Sequence, residues 1–229
     1  MRLLAIETSS EACSAALQDG EVITERYRVE PREHTRILLP MIRELLDERS
    51  LTARDLDAVV LGNGPGSFIG MRISASVAQG LCYGAALPLV PVSSLAAIAA
   101  EVMEREKADK VAVAQDARMN EVYFAAFAAN DQGLPVAQAS EAIVPVDRRD
   151  LLRDTGWTAA GGGWQRYPHL AAACSIAVTR SSAVIHPRAA HVLRIGVAAW
   201  RAGQSIDAER LQPAYLRTKV AEPVTAARR

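Results

Sequence analysis

A continuous apolar run, residues 58–61, ends in Gly62-Asn63-Gly64-Pro65-Gly66-Ser67-Phe68-Ile69-Gly70. An unbroken apolar run suits a strand buried on both faces, which needs helices above and below its sheet. Four glycines in this loop permit positive φ and close backbone approach, and Ser67 can cap a helix expected over residues 71–83. Free N–H groups at such a helix start attract anions, phosphate above all, which makes Gly64, Gly66 and Ser67 candidate contacts. A tight turn serving only close helix packing is the competing reading. The loop lacks the Lys-Ser/Thr ending of a P-loop, and Ser67 stands where a dinucleotide fingerprint needs its last glycine. Pro65 and Ile69 exclude a nucleophile elbow around Ser67.

Upstream, residues 3–6 and 13–17 are short apolar strands, and Asp19-Gly20 is a hairpin signal. Residues 22–27 alternate Val22, Thr24 and Arg26 against Ile23, Glu25 and Tyr27, as a third strand. Ile37, Leu38, Met41, Ile42, Leu45 and Leu46 then recur at helical spacing, with Glu44, Asp47 and Glu48 opposite. Pro40 must sit in the first turn or kink that helix, because it lacks an N–H and crowds the preceding turn. His34 is a candidate cap. Residues 89–92 read as another buried strand, and Ser93 or Ser94 caps a helix reaching about Lys107. A meander followed by crossovers implies a mixed sheet covered by helices.

The pattern then restarts. Residues 111–115 lead to Asp116 as residues 3–6 lead to Glu7, and residues 122–127 match 13–17. Asn130-Asp131-Gln132-Gly133 takes the place of Asp19-Gly20, and setting Glu7 on Asp116 brings the halves into rough register. Coincidence between two hairpins competes with internal duplication. A duplicated β-β-β-α-β-α unit is the plan of actin-like, sugar-kinase-like ATPase lobes, here residues 1–107 and 108–229. Farther on, residues 157–160 run as a strand into Gly161-Gly162-Gly163, residues 189–199 form a helix, and residues 221–229 fray.

Glu7 precedes Thr8-Ser9-Ser10; an acid at a strand end followed by hydroxyls can hold hydrated magnesium and a phosphate. A solvated turn whose hydroxyls cap backbone groups is the plainer alternative. A kinase-like site needs a second acid, for which Asp116 is the candidate. His34, His169, His186 and His191 form no metal-ligand pair, and Cys13, Cys82 and Cys174 form no C-x-x-C; the cysteines are expected in the core. The 26 basic residues cancel the 26 acidic ones, so no strong field favours nucleic acid or membrane. Aromatic residues, 5% of the chain, are not interleaved with arginines, which argues against a stacking surface for single-stranded RNA. The run at residues 3–6 is too short for a signal peptide and no apolar stretch spans a bilayer, so a cytoplasmic location is expected.

Leu4-Ala5-Ile6-Glu7-Thr8-Ser9-Ser10, Ala12-Cys13-Ser14 and His34-Thr35-Arg36-Ile37-Leu38-Leu39-Pro40 resemble the TsaB (YeaZ) family. So do Gly64-Pro65-Gly66-Ser67-Phe68, Pro91-Val92-Ser93-Ser94-Leu95, Asp116-Ala117-Arg118-Met119, Glu121-Val122-Tyr123 and Pro213-Ala214-Tyr215-Leu216-Arg217, in family order. The resemblance implies the two-lobed actin-like ATPase (ASKHA, ribonuclease H-like) α/β fold, with a mixed sheet in each lobe. It also implies a place in bacterial synthesis of threonylcarbamoyladenosine, the modified base beside the tRNA anticodon. The implied role is a non-catalytic scaffold or regulator that pairs with the transferase TsaD, is joined by the ATPase TsaE, and forms a homodimer when alone. No cofactor of its own is implied, although ATP or ADP at the complex interface stays open, as does indirect contact with tRNA. The TsaD family carries an H-x-x-x-H metal pair where this chain reads Ser94-Leu95-Ala96-Ala97-Ile98, and the family's usual loop has threonine where this chain has Ile69. The first departure loses the metal ligands of catalysis, and the second removes a hydroxyl and argues against phosphate binding. The partner surface is expected on the first lobe's two helices, at Ile37, Met41, Met71, Ala75, Ala78, Gln79 and Cys82. Competing readings are an ATP-dependent phosphotransferase using Glu7 and Asp116, a metallopeptidase-like relative, and a structural module with another partner.

Overall fold

The computed structural model describes residues 1–174 and 177–217; the fraying expected at residues 221–229 lies outside them. Strands β1 (Arg2–Glu7), β2 (Ala12–Asp19) and β3 (Val22–Val29) form the expected meander. Helix α1 (His34–Asp47), strand β4 (Ala58–Gly62), helix α2 (Phe68–Ala85), strand β5 (Leu89–Val92) and helix α3 (Ser94–Glu106) follow. β4 and β5 add in parallel, so the sheet order is β3-β2-β1-β4-β5. β4 throughout and β1 from Leu3 onward are buried, which explains their lack of alternation: Leu4 and Ile6 pack with α1 and α2, Leu3 and Ala5 on the other face.

The second half repeats this plan. β6 (Lys110–Arg118), β7 (Glu121–Ala129) and β8 (Pro135–Ala137) form its meander, with β9 (Ala142–Pro145) also on β7. β10 (Trp157–Ala160), the short helices α4 (Gly162–Arg166) and α5 (Pro168–Ala173), β11 (Val178–Ser181) and helix α6 (Ala189–Arg201) complete it. The order β8-β7-β6-β10-β11 matches the first sheet strand for strand, so the duplication is real at the level of topology. No helix stands between β9 and β10 as α1 does between β3 and β4.

The long final helices of the two halves are exchanged. α3 packs through Leu95, Ile98 and Val102 on Val111, Val113 and Phe127 of the second sheet. α6 packs through Ala189, Val192 and Leu193 on the first, and a Cβ at Gly196 would meet the Val60 side chain, so this glycine sets a close helix–sheet approach. The layers run α1 and α2, first sheet, α3 with α6, second sheet, α4 with α5. Pro40 lies inside α1, past its first turn, on the solvent side. α2 begins three residues earlier than its apolar pattern suggests, because Ser67 accepts from Gly70 N and caps it there.

Candidate functional site

β1 ends by pushing Glu7 and Thr8, both fully buried, and Ser9 against the glycine loop. Ser9 N donates to Glu7 Oε1 at 2.5 Å, and Ser94 Oγ donates to Glu7 Oε2 at 2.6 Å. The same Ser94 hydroxyl accepts from Gly64 N at 3.1 Å, while Ser94 N donates to Gly64 O. Thr8 Oγ1 donates to Gly70 O at 2.7 Å, and Ser67 N donates to Ser9 O at 2.6 Å. Glu7, Thr8, Ser9, Gly64, Gly66 and Ser67 are therefore brought together as expected, but around each other.

The glycines explain why. A Cβ at Gly66 would meet the Ser9 carbonyl, and one at Gly70 the Thr8 carbonyl. The loop is bare so that the backbone after β1 can fill it. Three N–H groups around the start of α2 are used: Ser67 N on Ser9 O, Gly70 N on Ser67 Oγ, Met71 N on Ser67 O; those of Phe68 and Ile69 have no acceptor among the described residues. An anion seated on Ser67 N, Gly70 N or Met71 N would have to displace protein acceptors. Burial raises the Glu7 carboxyl above its ordinary range, opposed by its bonds from Ser94 and Ser9.

Asp116 sits apart, on the second sheet. Its Oδ1 accepts from Tyr167 OH and Arg118 N, both at 2.8 Å, and its Oδ2 lies 3.1 Å from Arg166 Nε and 3.2 Å from Arg118 Nη1. It is thus the anchor of an ion-pair cluster. The proposed register with Glu7 is also offset. β1 leaves β4 at Ile6 and Glu7 follows at once, whereas β6 leaves β10 at Val113, three positions before Asp116. The antiparallel side keeps the rough register, with Glu7 opposite Ser14 of β2 and Asp116 opposite Val122 of β7.

Where the resemblance would place a metal pair stand Ser94, whose hydroxyl is committed to Glu7 and Gly64, and Ile98, a hydrocarbon buried on the second sheet. This donor set does not fit iron or zinc. Among the described residues no group of three His, Cys, Asp or Glu side chains could hold a metal ion. Cys13, Cys82 and Cys174 are free and buried, and burial pushes the Cys13 thiol up to about 12 and Cys82 to about 11. His34 does not cap α1; its Nε2 lies 3.0 Å from Ser10 O and 3.3 Å from Ala12 O, tying α1 to the β1–β2 turn.

The expected partner residues need correction. Ile37, Met41, Met71, Ala75, Ala78 and Cys82 are all buried in the first lobe's own core, and Gln79 donates to Ala208 O. The stripe at helical spacing faces the sheet, and the small residues bring α2 close to it, not to a partner. What the two helices leave outside is a groove of about 500 Å³ between them. Leu38, Leu39, Ile73 and Val77 line it with Ile69, which is 70% exposed, and Arg72. The Ile69 that replaces the usual threonine lies on this surface. A further cluster had no role in the sequence: Arg72 lies over Phe68, and its Nε donates to Tyr215 OH at 3.1 Å. Only the motif at residues 213–217 pointed to it.

A family model described as TsaD, tRNA N6-adenosine threonylcarbamoyltransferase, matches residues 28–224. The tRNA threonylcarbamoyladenosine biosynthesis protein TsaB of Escherichia coli (strain K12) is 37% identical over 224 residues, 96% of each chain. The Haemophilus influenzae protein of the same name is 34% identical over 228 residues, covering 96% of this chain and 95% of that one. The solved structure of YeaZ from Pseudomonas aeruginosa superposes with a TM-score of 0.87 at 38% identity, over 94% of this chain and 99% of that one.

Proposed function

This chain belongs to the TsaB branch of the TsaD-type threonylcarbamoyltransferase family, with the actin-like fold of that family, and we propose that it acts without a catalytic centre of its own. It serves tRNA threonylcarbamoyladenosine formation as an accessory subunit. Its direct partner is the transferase TsaD, joined by TsaE, in the cytoplasm. Among the described residues no helix is long and apolar enough to cross a membrane.

The observation that carries this reading is the division of labour in the first lobe. The glycine loop, which would cradle phosphate in an ATPase, is filled by Glu7, Thr8 and Ser9. Meanwhile the outer face of α1 and α2 exposes Leu39 and Ile69 beside an apolar groove. Isolated exposed apolar residues are ordinary, but a groove rimmed by them marks a contact surface. That groove is where TsaD docks, and a second copy of this chain covers it when TsaD is absent. Any ATP or ADP in the complex is held by the partner's side of the interface.

Co-purification with TsaD tests the reading. Ile69→Glu and Ile73→Glu should each release TsaD and shift the lone chain toward monomer in size-exclusion chromatography. Unchanged pairing in both variants removes this surface. Calorimetric titration of the isolated chain with magnesium-ATP should show no tight binding; tight binding lost in Glu7→Ala would restore the phosphotransferase reading.

A further inference from the structure

A second cavity, of about 320 Å³, shares no residue with the glycine loop or the α1–α2 groove. Tyr27 of β3, Glu101, Arg105 and Glu106 of α3, and residues 183–186 with Arg188 ahead of α6 form its walls. It touches the first sheet through Tyr27 and the second through α3, which packs there. Its volume falls at the small end of ligand pockets, which run from about 300 to 1,000 Å³.

The polar groups of these walls are not all satisfied. The Glu101 side chain is only 4% exposed. Its Oε1 accepts from Arg105 Nη1 at 2.5 Å, but its Oε2 is buried with no donor among the described residues. His191 Nε2 stands 3.8 Å from that oxygen, too far for a hydrogen bond. A buried carboxylate oxygen left idle costs stability until something pairs with it. His186 Nδ1, on the same walls, is likewise buried without a partner among the described residues. Burial lowers its imidazole below the ordinary range, so it adds no charge at neutral pH. Arg188 spends Nε and Nη2 on Glu25 Oε2 and lies 4.4 Å over the Tyr27 ring, which leaves its Nη1 without an acceptor among the described residues.

These walls select a ligand by its charges. The carboxylates of Glu101 and Glu106 balance the guanidiniums of Arg105 and Arg188, so the cavity as a whole favours neither a bare cation nor a bare anion. The idle Glu101 oxygen calls for a donor, and a cationic donor bonds about twice as strongly as a neutral one. The guanidiniums call for a carboxylate, whose geometry matches their fork. Ala183, Val184 and Ile185 leave the rest of the wall apolar. We propose that this cavity binds a free amino acid, with its ammonium group on Glu101 Oε2, its carboxylate on Arg105 and Arg188, and an aliphatic side chain against residues 183–185. The site does not depend on the groove reading above, and its occupant bridges the two halves of the chain.

Thermal melts and saturation-transfer NMR on the full chain test it, with the common L-amino acids added singly. Isobutylamine and isovalerate serve as valine lacking one charged end each. At least one aliphatic amino acid should bind and raise the melting temperature, and neither half-molecule should. Ala183→Leu adds bulk at an exposed wall position without touching the ion pairs. It should abolish binding and leave the unliganded melt unchanged. Glu101→Gln keeps an acceptor for Arg105 and should weaken binding about tenfold; if that variant does not fold, Ala183→Leu still decides. A crystal structure with the tightest binder should place its nitrogen on Glu101. Ordered water alone on Glu101 and His186, with no amino acid shifting the melt, overturns the proposal. So does binding of isobutylamine or isovalerate as strong as that of any amino acid, and so does binding that survives Ala183→Leu.

Discussion

Two glycines in one helix should respond oppositely to the same substitution. Gly70 and Gly80 both lie in α2. A Cβ at Gly70 would come well inside 3.0 Å of the Thr8 carbonyl oxygen and 3.1 Å from its carbon, whereas a Cβ at Gly80 meets nothing within 4 Å. Thr8 cannot swing away. It is fully buried, it follows β1 directly, and its hydroxyl is bonded to Gly70 O. Backbone must therefore move by on the order of 1 Å, the regime in which overpacking costs about 1–3 kcal/mol or more. Relief of glycine's helix penalty, about 1 kcal/mol, offsets part of this. Gly70→Ala should thus destabilise by about 2 kcal/mol, and Gly80→Ala should stabilise by about 0.5–1 kcal/mol. For a chain of this size the melting temperature should fall by roughly 4–8 °C in the first variant and rise by roughly 1–4 °C in the second. Thermal melts at equal protomer concentration decide it. A Gly70→Ala protein as stable as the parent would show that the loop is not filled by β1's end, and would reopen the phosphate cradle.

Three further outcomes follow from the same contacts. The Glu7 carboxyl is raised by burial, so the folded chain binds a proton more readily than the unfolded one; stability falls as pH rises from the ordinary carboxylate range through the raised value. Glu7→Gln should remove that part of the slope in urea denaturation between pH 5 and pH 8; an unaltered slope would mean the carboxyl is not buried. Burial lowers the His191 imidazole more than Glu101 and Glu104 raise it, so the folded state favours neutral histidine and stability falls as pH drops below the ordinary histidine range. His191→Gln should flatten the acid side of the profile, and a steeper profile would reverse the sign. Finally, Cys13, Cys82 and Cys174 are buried, and thiol reagents should label none in the native chain and all in denaturant; fast native labelling would contradict their burial.

Much of the fold was legible because it is local. The glycine loop, the alternation over residues 22–27 and the stripe from Ile37 to Leu46 each announce an element through neighbours a few residues away. The strand order of both sheets follows from meander-then-crossover. What escaped depends on distant partners. Nothing in α3 states that it will lie on the second sheet, or in α6 that it will lie on the first; both are apolar enough to cover either. The partner residues on α2 were misassigned because small residues permit close approach to a sheet as well as to another helix. Its true outer face, Phe68, Ile69 and Arg72, falls partly before the helix start that the pattern suggested. Asp116 and Glu7 both end an apolar run, but β6 reaches Asp116 three residues past its last parallel pair and β1 reaches Glu7 one residue past its own. The emptiness of Gly66 and Gly70 could not be told from a phosphate cradle until Thr8 and Ser9 were found inside it.

On the proposed function this chain contributes no catalytic group yet is required. Reconstitution of threonylcarbamoyladenosine on tRNA tests it directly, with purified TsaD, TsaE and threonylcarbamoyl-adenylate, with and without this chain. No product is expected from this chain alone and full product with all components. Product should be lost when the chain is omitted or carries Ile69→Glu, and should be near normal when it carries Glu7→Gln. Product from this chain without TsaD, or full product without this chain, would contradict it.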